Sequence, residues 1–300
     1  MKHKLRRIIS LASVLLVGGC TLGMFAGCTT KHPEVTITYS FNGKDYAVRY
    51  TLSRNDAPKT VQHFLELVDA GFYDGMCIHD YKSDAMYSGG YYLKDGELEE
   101  VDYFTKVKEL EEEKGITFTQ SVWTADGNKT PLYTVYGEFY DNGVEHQYAR
   151  ENRHSRGALA MYYQQVQDTS KPTIEVTVER ADGGASNDGN PLQEQPYYWN
   201  CATSLIYTFS ATNYTLDNSY CVFGMANEKD YREKLEEGLF AAIAEYEEDL
   251  PEEESFTKET TEKLNQYDPF EEVRNAAITA TYDTPVDRPI IIKSIKINKY

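Results

Sequence analysis

The chain has 300 residues, with 30 Lys and Arg against 48 Asp and Glu and a formal net charge of −18. A surface that acidic repels phosphate backbones, which excludes general nucleic-acid binding. Hydrophobic residues at 41% and aromatics at 13% support a packed core and exclude a wholly disordered chain.

Residues 1–27 read as an address. Lys2, Lys4, Arg6 and Arg7 are followed by an apolar stretch from Ile8 to Gly27, the pattern of a secretory signal peptide. These twenty residues, apolar or small but for Thr21, also have the length to span a bilayer, so an uncleaved anchor stays open. Residues 28–33 form a short tether. From Val35 to Tyr50 apolar and polar residues alternate on both sides of Asn42-Gly43, the signature of a β-hairpin. Pro58 opens a helical pattern in which Val61, Phe64, Leu65 and Val68 share one face, and Gly71 closes it. A charged helix is expected from Glu97 to Lys114, with Leu98, Val101, Val107 and Leu110 as its stripe. Ala181–Asn190 is rich in Gly and Asn and reads as a mobile loop. It lacks the closing acidic ligand of a calcium loop. A further helix is expected over about 229–249, burying Leu235, Leu239, Ala242, Ile243 and Tyr246. The glutamate run after Pro251 reads as a solvated face. Pro289–Ile297 is β-branched and reads as a closing strand. Cys77, Cys201 and Cys221 stand in no CxxC pair and read as small buried hydrophobes. No metal ligand set and no cofactor motif is visible; GxSxG and HExxH are both absent.

Two resemblances add to this reading. Phe25-Ala26-Gly27-Cys28 resembles the lipobox of bacterial lipoproteins, and Val17-Gly18-Gly19-Cys20 is a second candidate. The resemblance implies lipidation at Cys28, with Cys20 as the alternative. It places the protein on the extracytoplasmic face of the cell membrane, anchored by a lipid. Ala57–Leu67 and Gly71–Gly75, with Ile78-His79, Met86–Gly90, Gly137–Phe139, Asn142-Gly143, Arg156–Met161, Ala202–Ser204, Leu216-Asp217, Val222–Gly224 and Asp287–Ile292, resemble successive blocks of the cyclophilins. These are peptidyl-prolyl cis-trans isomerases. The resemblance implies a mainly β fold over 34–300: a closed eight-stranded antiparallel β-barrel capped by two helices, with helical and loop insertions at about 92–134, 163–199 and 227–274.

The implied activity is isomerisation of X-Pro bonds in proline-containing peptides or exported proteins. The implied substrate site comprises Met86, Ser88, Tyr207, Leu216 and Tyr220. The departures from the family pattern are specific. Asp80 follows His79 where the family has its catalytic arginine, Ala85 replaces an aromatic and Ser88 a glutamine. Tyr207 stands for phenylalanine, Thr215 for tryptophan and Tyr220 for histidine. A carboxylate accepts hydrogen bonds but cannot donate to a twisted amide. The expected activity is therefore weak or altered, with a non-catalytic peptide-binding module as the alternative. Arg153, His154 and Arg156 are the nearest candidate replacement donors.

Overall fold

The structure is a computed structural model that describes residues 32–144, 153–162, 174–197, 201–264, 266–275 and 279–300. Cys20 and Cys28 lie outside the described residues. Eight strands form one antiparallel sheet: β1 (Glu34–Phe41), β2 (Lys44–Leu52), β3 (Asp80–Tyr81), β4 (Ala85–Ser88), β5 (Ala158–Met161), β6 (Ile206–Phe209), β7 (Cys221–Ala226) and β8 (Ile291–Lys299). Their spatial order is β8-β1-β2-β7-β5-β6-β4-β3.

The β1–β2 hairpin follows from its turn. Asn42 and Gly43 both have positive φ, 49° and 77°, as a two-residue turn between twisted strands requires. The alternation then buries Val35, Ile37, Tyr39 and Phe41 from one strand and Tyr46, Val48, Tyr50 and Leu52 from the other. Each such aliphatic or aromatic side chain contributes on the order of 1.5–3 kcal/mol of burial. Helix α1 (Pro58–Asp69) begins on Pro58, where a missing N–H costs nothing. Its buried Phe64 meets Phe223 of β7, with ring centroids 5.0 Å apart. Helix α2 is Tyr103–Lys114, started by Asp102, whose Oδ1 accepts from the Thr105 N–H. The consecutive helical segments Glu228–Asp230, Tyr231–Phe240 and Ala241–Glu248 form one rod, α3, and the middle segment winds as a wider π-helix. Leu235, Leu239 and Ile243 bury its inner face, and Gly238 lets it close on Tyr46; an added Cβ would stand 3.1 Å from that ring.

Two expectations are corrected and one is not confirmed. First, the eight strands do not close into a barrel. β8 and β3 are the edges of an open ladder; among the described residues the seam is crossed by the isolated bridge Cys77–Ile291 and the hydrogen bonds beside it. The reason lies at β3, which is two residues long. Its edge is taken by a hairpin of Lys258–Lys263 with Thr279–Thr284. The Asp283 N–H donates to Asp80 Oδ1 at 2.8 Å, and Thr284 Oγ1 donates to the His79 carbonyl at 2.7 Å. Second, capping by two helices is not confirmed: α1 packs against β8 and α3 against β2. Third, the helix expected from Glu97 starts later. Glu97–Glu100 pairs as a strand with Tyr91–Lys94, because Asp95-Gly96 adopts the positive φ pair of a hairpin turn.

Val122–Thr124, Glu175–Glu179 and Leu192–Pro196 make a separate three-stranded sheet with its own small core around Val122, Val176, Val178 and Tyr197. No helix among the described residues is long and apolar enough to cross a membrane.

Candidate functional site

Four tyrosines converge on the outer face of β4, β5 and β6. Tyr207 in β6 is paired in register with Tyr87 of β4, and residues directly opposite in an antiparallel pair share a face. Their rings lie 4.7 Å apart. Tyr162 leaves β5 with its N–H on the Leu205 carbonyl at 2.8 Å, and its ring is 5.1 Å from Tyr207 and 5.9 Å from Tyr87. Tyr220, just before β7, stacks on Tyr162 at 6.2 Å and 15° and lies 5.8 Å from Tyr207. Leu216, Phe209 and Ala160 complete the apolar cluster. Tyr207 is buried at the centre of the cluster, while Tyr87, Tyr162, Tyr220 and Leu216 around it are partly exposed.

The structure therefore brings together Tyr207, Leu216 and Tyr220 of the residues expected from sequence. It places Met86 and Ser88 elsewhere. Met86 opposes Thr208 and Ser88 opposes Ile206, so both point away from the tyrosines; Met86 packs into the main core. Side chains alternate along a strand, so a one-residue offset moves a residue to the other face. Tyr87 and Tyr162 are the residues sequence reasoning missed.

Burial raises the pKa values of Tyr87 and Tyr162 well above the ordinary tyrosine range, and that of Tyr220 upward. Nearby Asp84 and Asp80 charges add to the effect at Tyr87. All three hydroxyls keep their protons at neutral pH. They are hydrogen-bond donors held against an aromatic surface.

Asp80 sits at the cleft edge opposite Tyr87, only 6% exposed. Lys82 Nζ stands 3.1 Å from Asp80 Oδ1 and 2.6 Å from Asp283 Oδ2. Burial raises the Asp80 pKa, and the Asp283 N–H and Lys82 oppose that rise. The position thus holds an acid already engaged in an ion pair and a backbone contact.

The candidate replacement donors are also occupied. Arg153 lies over the Tyr214 ring and 3.8 Å from Asp217. Arg156 pairs with Glu236 and lies over the Tyr231 ring. His154 is fully buried, with Nδ1 2.9 Å from Asp217 Oδ1, and burial lowers its pKa. His79 is packed between Tyr91 and Tyr282, and burial lowers its pKa to about 3, so it stays neutral. Among the described residues no group of three His, Cys, Asp or Glu is placed to hold a metal.

The site thus combines an open eight-stranded antiparallel sheet with a cluster of tyrosines on one face. The chain belongs to the cyclophilin-type peptidyl-prolyl cis-trans isomerase family: the family model described as cyclophilin type peptidyl-prolyl cis-trans isomerase/CLD matches residues 36–229. Two solved structures are similar to it. One is a cyclophilin-type peptidyl-prolyl cis-trans isomerase of Cryptosporidium parvum, 16% identical, covering 90% of this chain and 99% of that one, with a TM-score of 0.41. The other is the same protein in the presence of the dipeptide Ala-Pro, 16% identical, covering 89% and 99%, with a TM-score of 0.39. No curated protein matches the sequence.

Proposed function

We propose that the protein is a lipid-anchored, extracytoplasmic cyclophilin-like protein that binds proline-containing segments of exported proteins in the tyrosine cleft and isomerises them weakly. The observation that carries this reading is the cleft of Tyr87, Tyr162, Tyr207 and Tyr220 beside an ion-paired Asp80. Membership of the family supports the reaction class. A prolyl ring suits aromatic faces, and protonated phenols suit a peptide carbonyl. Rotation about X-Pro crosses a barrier of roughly 18–20 kcal/mol. Lowering it requires interactions that strengthen in the twisted state. Neutral hydroxyls supply donors for that state, but without the full positive charge of a guanidinium. The expected acceleration is correspondingly small.

The test is binding and cis-trans exchange of a short Ala-Pro-containing peptide, measured by NMR. The wild type is expected to bind and to accelerate exchange modestly. Tyr207→Ala is expected to weaken binding about tenfold or more and to abolish acceleration, since it removes the buried centre of the cluster. Failure of the wild type to bind overturns the reading. Binding without any acceleration selects the alternative, a non-catalytic module, which the engaged Asp80 favours.

The anchor has its own test. Cys28→Ser is expected to move the protein from the membrane fraction to the soluble extracytoplasmic fraction, because a single attached lipid is the proposed tether. Release by Cys20→Ser alone would move the lipidation site to Cys20.

A further inference from the structure

A cavity of about 90 Å³ lies where Gly90 and Leu205 meet residues 100–104, Tyr197, Cys201 and residues 267–268. Its wall combines two acids with aromatic side chains: Glu100 and Asp268 with Tyr103, Phe104, Tyr197 and Tyr267. Asp268 is 3% exposed. Its Oδ1 accepts from the Phe270 N–H at 2.9 Å, while the nearby Arg274 donates to the Asp268 backbone carbonyl. Glu100 Oε2 is buried with no hydrogen-bond partner. Among the described residues neither carboxylate forms an ion pair with Lys or Arg.

Carboxyls in a low-dielectric wall are costly to ionise, and here the Phe270 N–H, Tyr197 and Arg274 offset that cost only in part at Asp268, and Gln266 at Glu100, so a cation in the cavity would stabilise both. Aromatic faces meet the same demand through their negative quadrupole. A hard metal ion needs six or more oxygen ligands, which this wall does not provide. An alkylammonium needs only a few acceptors and an apolar sleeve for its stem, and the cavity offers both.

The cavity also has a fixed relation to the cleft. Leu205 lines the cavity and Tyr207 centres the cleft, two residues apart on one chain segment. Leu205 directly precedes β6, so its backbone lies at most about 7 Å from that of Tyr207. An extended peptide with its proline on Tyr207 therefore brings a neighbouring side chain to the cavity.

We infer that this cavity is a cation subsite that takes the ammonium group of a lysine near the proline of a bound peptide. The inference rests on the cleft being the peptide site. It names a substrate class, lysine-containing proline segments, that the family likeness does not specify.

The titration of the wall supports it. Burial raises both Glu100 and Asp268 to about 7. Gln266 opposes the rise at Glu100, and Glu262 and Asp102 add to it. At Asp268 the Phe270 N–H, Tyr197 and Arg274 oppose it. Both acids are thus charged at pH 8 and largely protonated at pH 6. Ammonium affinity rises across that interval.

The test uses the full chain with two kinds of probe: 1-butylammonium, and two pairs of Ala-Pro-containing peptides carrying lysine or norleucine two residues from the proline, one pair on each side. At pH 8 the better lysine peptide is expected to bind about tenfold tighter than its norleucine analogue, a gain of about 1.4 kcal/mol. That preference is expected to fall to about twofold at pH 6 and in Glu100→Gln/Asp268→Asn, with norleucine-peptide affinity unchanged. Butylammonium is expected to shift NMR resonances of the cavity tyrosines in the wild type and not in the double variant. Equal affinities for lysine and norleucine peptides at pH 8 overturn the inference and leave the cleft reading standing. Binding of neither peptide overturns both. A butylammonium response that survives the double variant assigns the ammonium to another site and overturns the inference.

Discussion

Alanine at Gly89 is expected to destabilise the protein by about 4 kcal/mol or more, the exceptional range that overpacking reaches when strain adds to it. Gly89 has φ +92°, where a Cβ is already strained by roughly 1–2 kcal/mol. The larger cost is contact. An added Cβ would lie 2.2 Å from the Ser204 carbonyl oxygen and 3.0 Å from its carbon. Both are backbone atoms, so no side-chain rotation relieves the clash. The approach is locked from the other side by Ser204 Oγ, which donates to the Gly89 carbonyl at 2.7 Å. This crossing sets the spacing between the end of β4 and the start of β6, and thereby between the cleft at Tyr207 and the cavity at Leu205. Gly43→Ala is the control. It also has positive φ, 77°, but nothing lies within 4 Å of its added Cβ. Urea unfolding of the two variants at pH 7 separates the conformational cost they share from the clash. A Gly89→Ala loss no larger than that of Gly43→Ala would show that the strands are not pressed together here.

What the sequence made legible was local or carried by matched blocks. The Asn42-Gly43 hairpin, the Pro58 start of α1 and the buried face of α3 each depend on residues within one element. Asp95-Gly96 carried the same hairpin signal, but the acidic run after it read as helix and hid Glu97–Glu100. Long-range pairing was illegible. Val122–Thr124 joins Glu175–Glu179 across about fifty residues, and nothing in either segment names the other. The open seam depends on Asp283 and Thr284 reaching the β3 edge from 200 or more residues away. The cleft shows the same division. Tyr207, Leu216 and Tyr220 came from block resemblance, whereas Tyr87 enters only through its register with Tyr207. Register across strands is a property of the assembled sheet, and block matching along one strand cannot supply it.

Glu138→Leu is expected to cost about 3 kcal/mol, because it strips the carboxylate acceptors from the start of α1. A helix leaves its first N–H groups without internal partners. In α1 few such donors remain. Pro58 has no N–H, and the Val61 N–H already reaches the Ala57 carbonyl at 2.9 Å. Ala57 at the N-cap offers no side-chain acceptor. The remaining donors are Lys59 and Thr60, and both go to Glu138, at 3.1 Å to Oε1 and 2.8 Å to Oε2. Glu138 is 1% exposed and 78 residues further along the chain, so it caps the helix and fastens the Gly137–Phe139 segment at once. Burial raises its pKa, and the Thr60 and Lys59 N–H groups do most to oppose that rise. Leucine would leave two buried donors unpaired at about 1–3 kcal/mol each before relaxation. Glutamine keeps one amide oxygen as an acceptor and is expected to lose about half as much. Urea unfolding ranks the three proteins, and equal stability of wild type and Glu138→Leu would mean that water replaces the carboxylate at this helix start. The result bears on the cleft as well. α1 carries Phe64 against Phe223 of β7, and β7 follows directly on Tyr220. Loosening the helix start is therefore expected to reduce peptide affinity in Glu138→Leu more than in Glu138→Gln, although neither substitution touches the tyrosines.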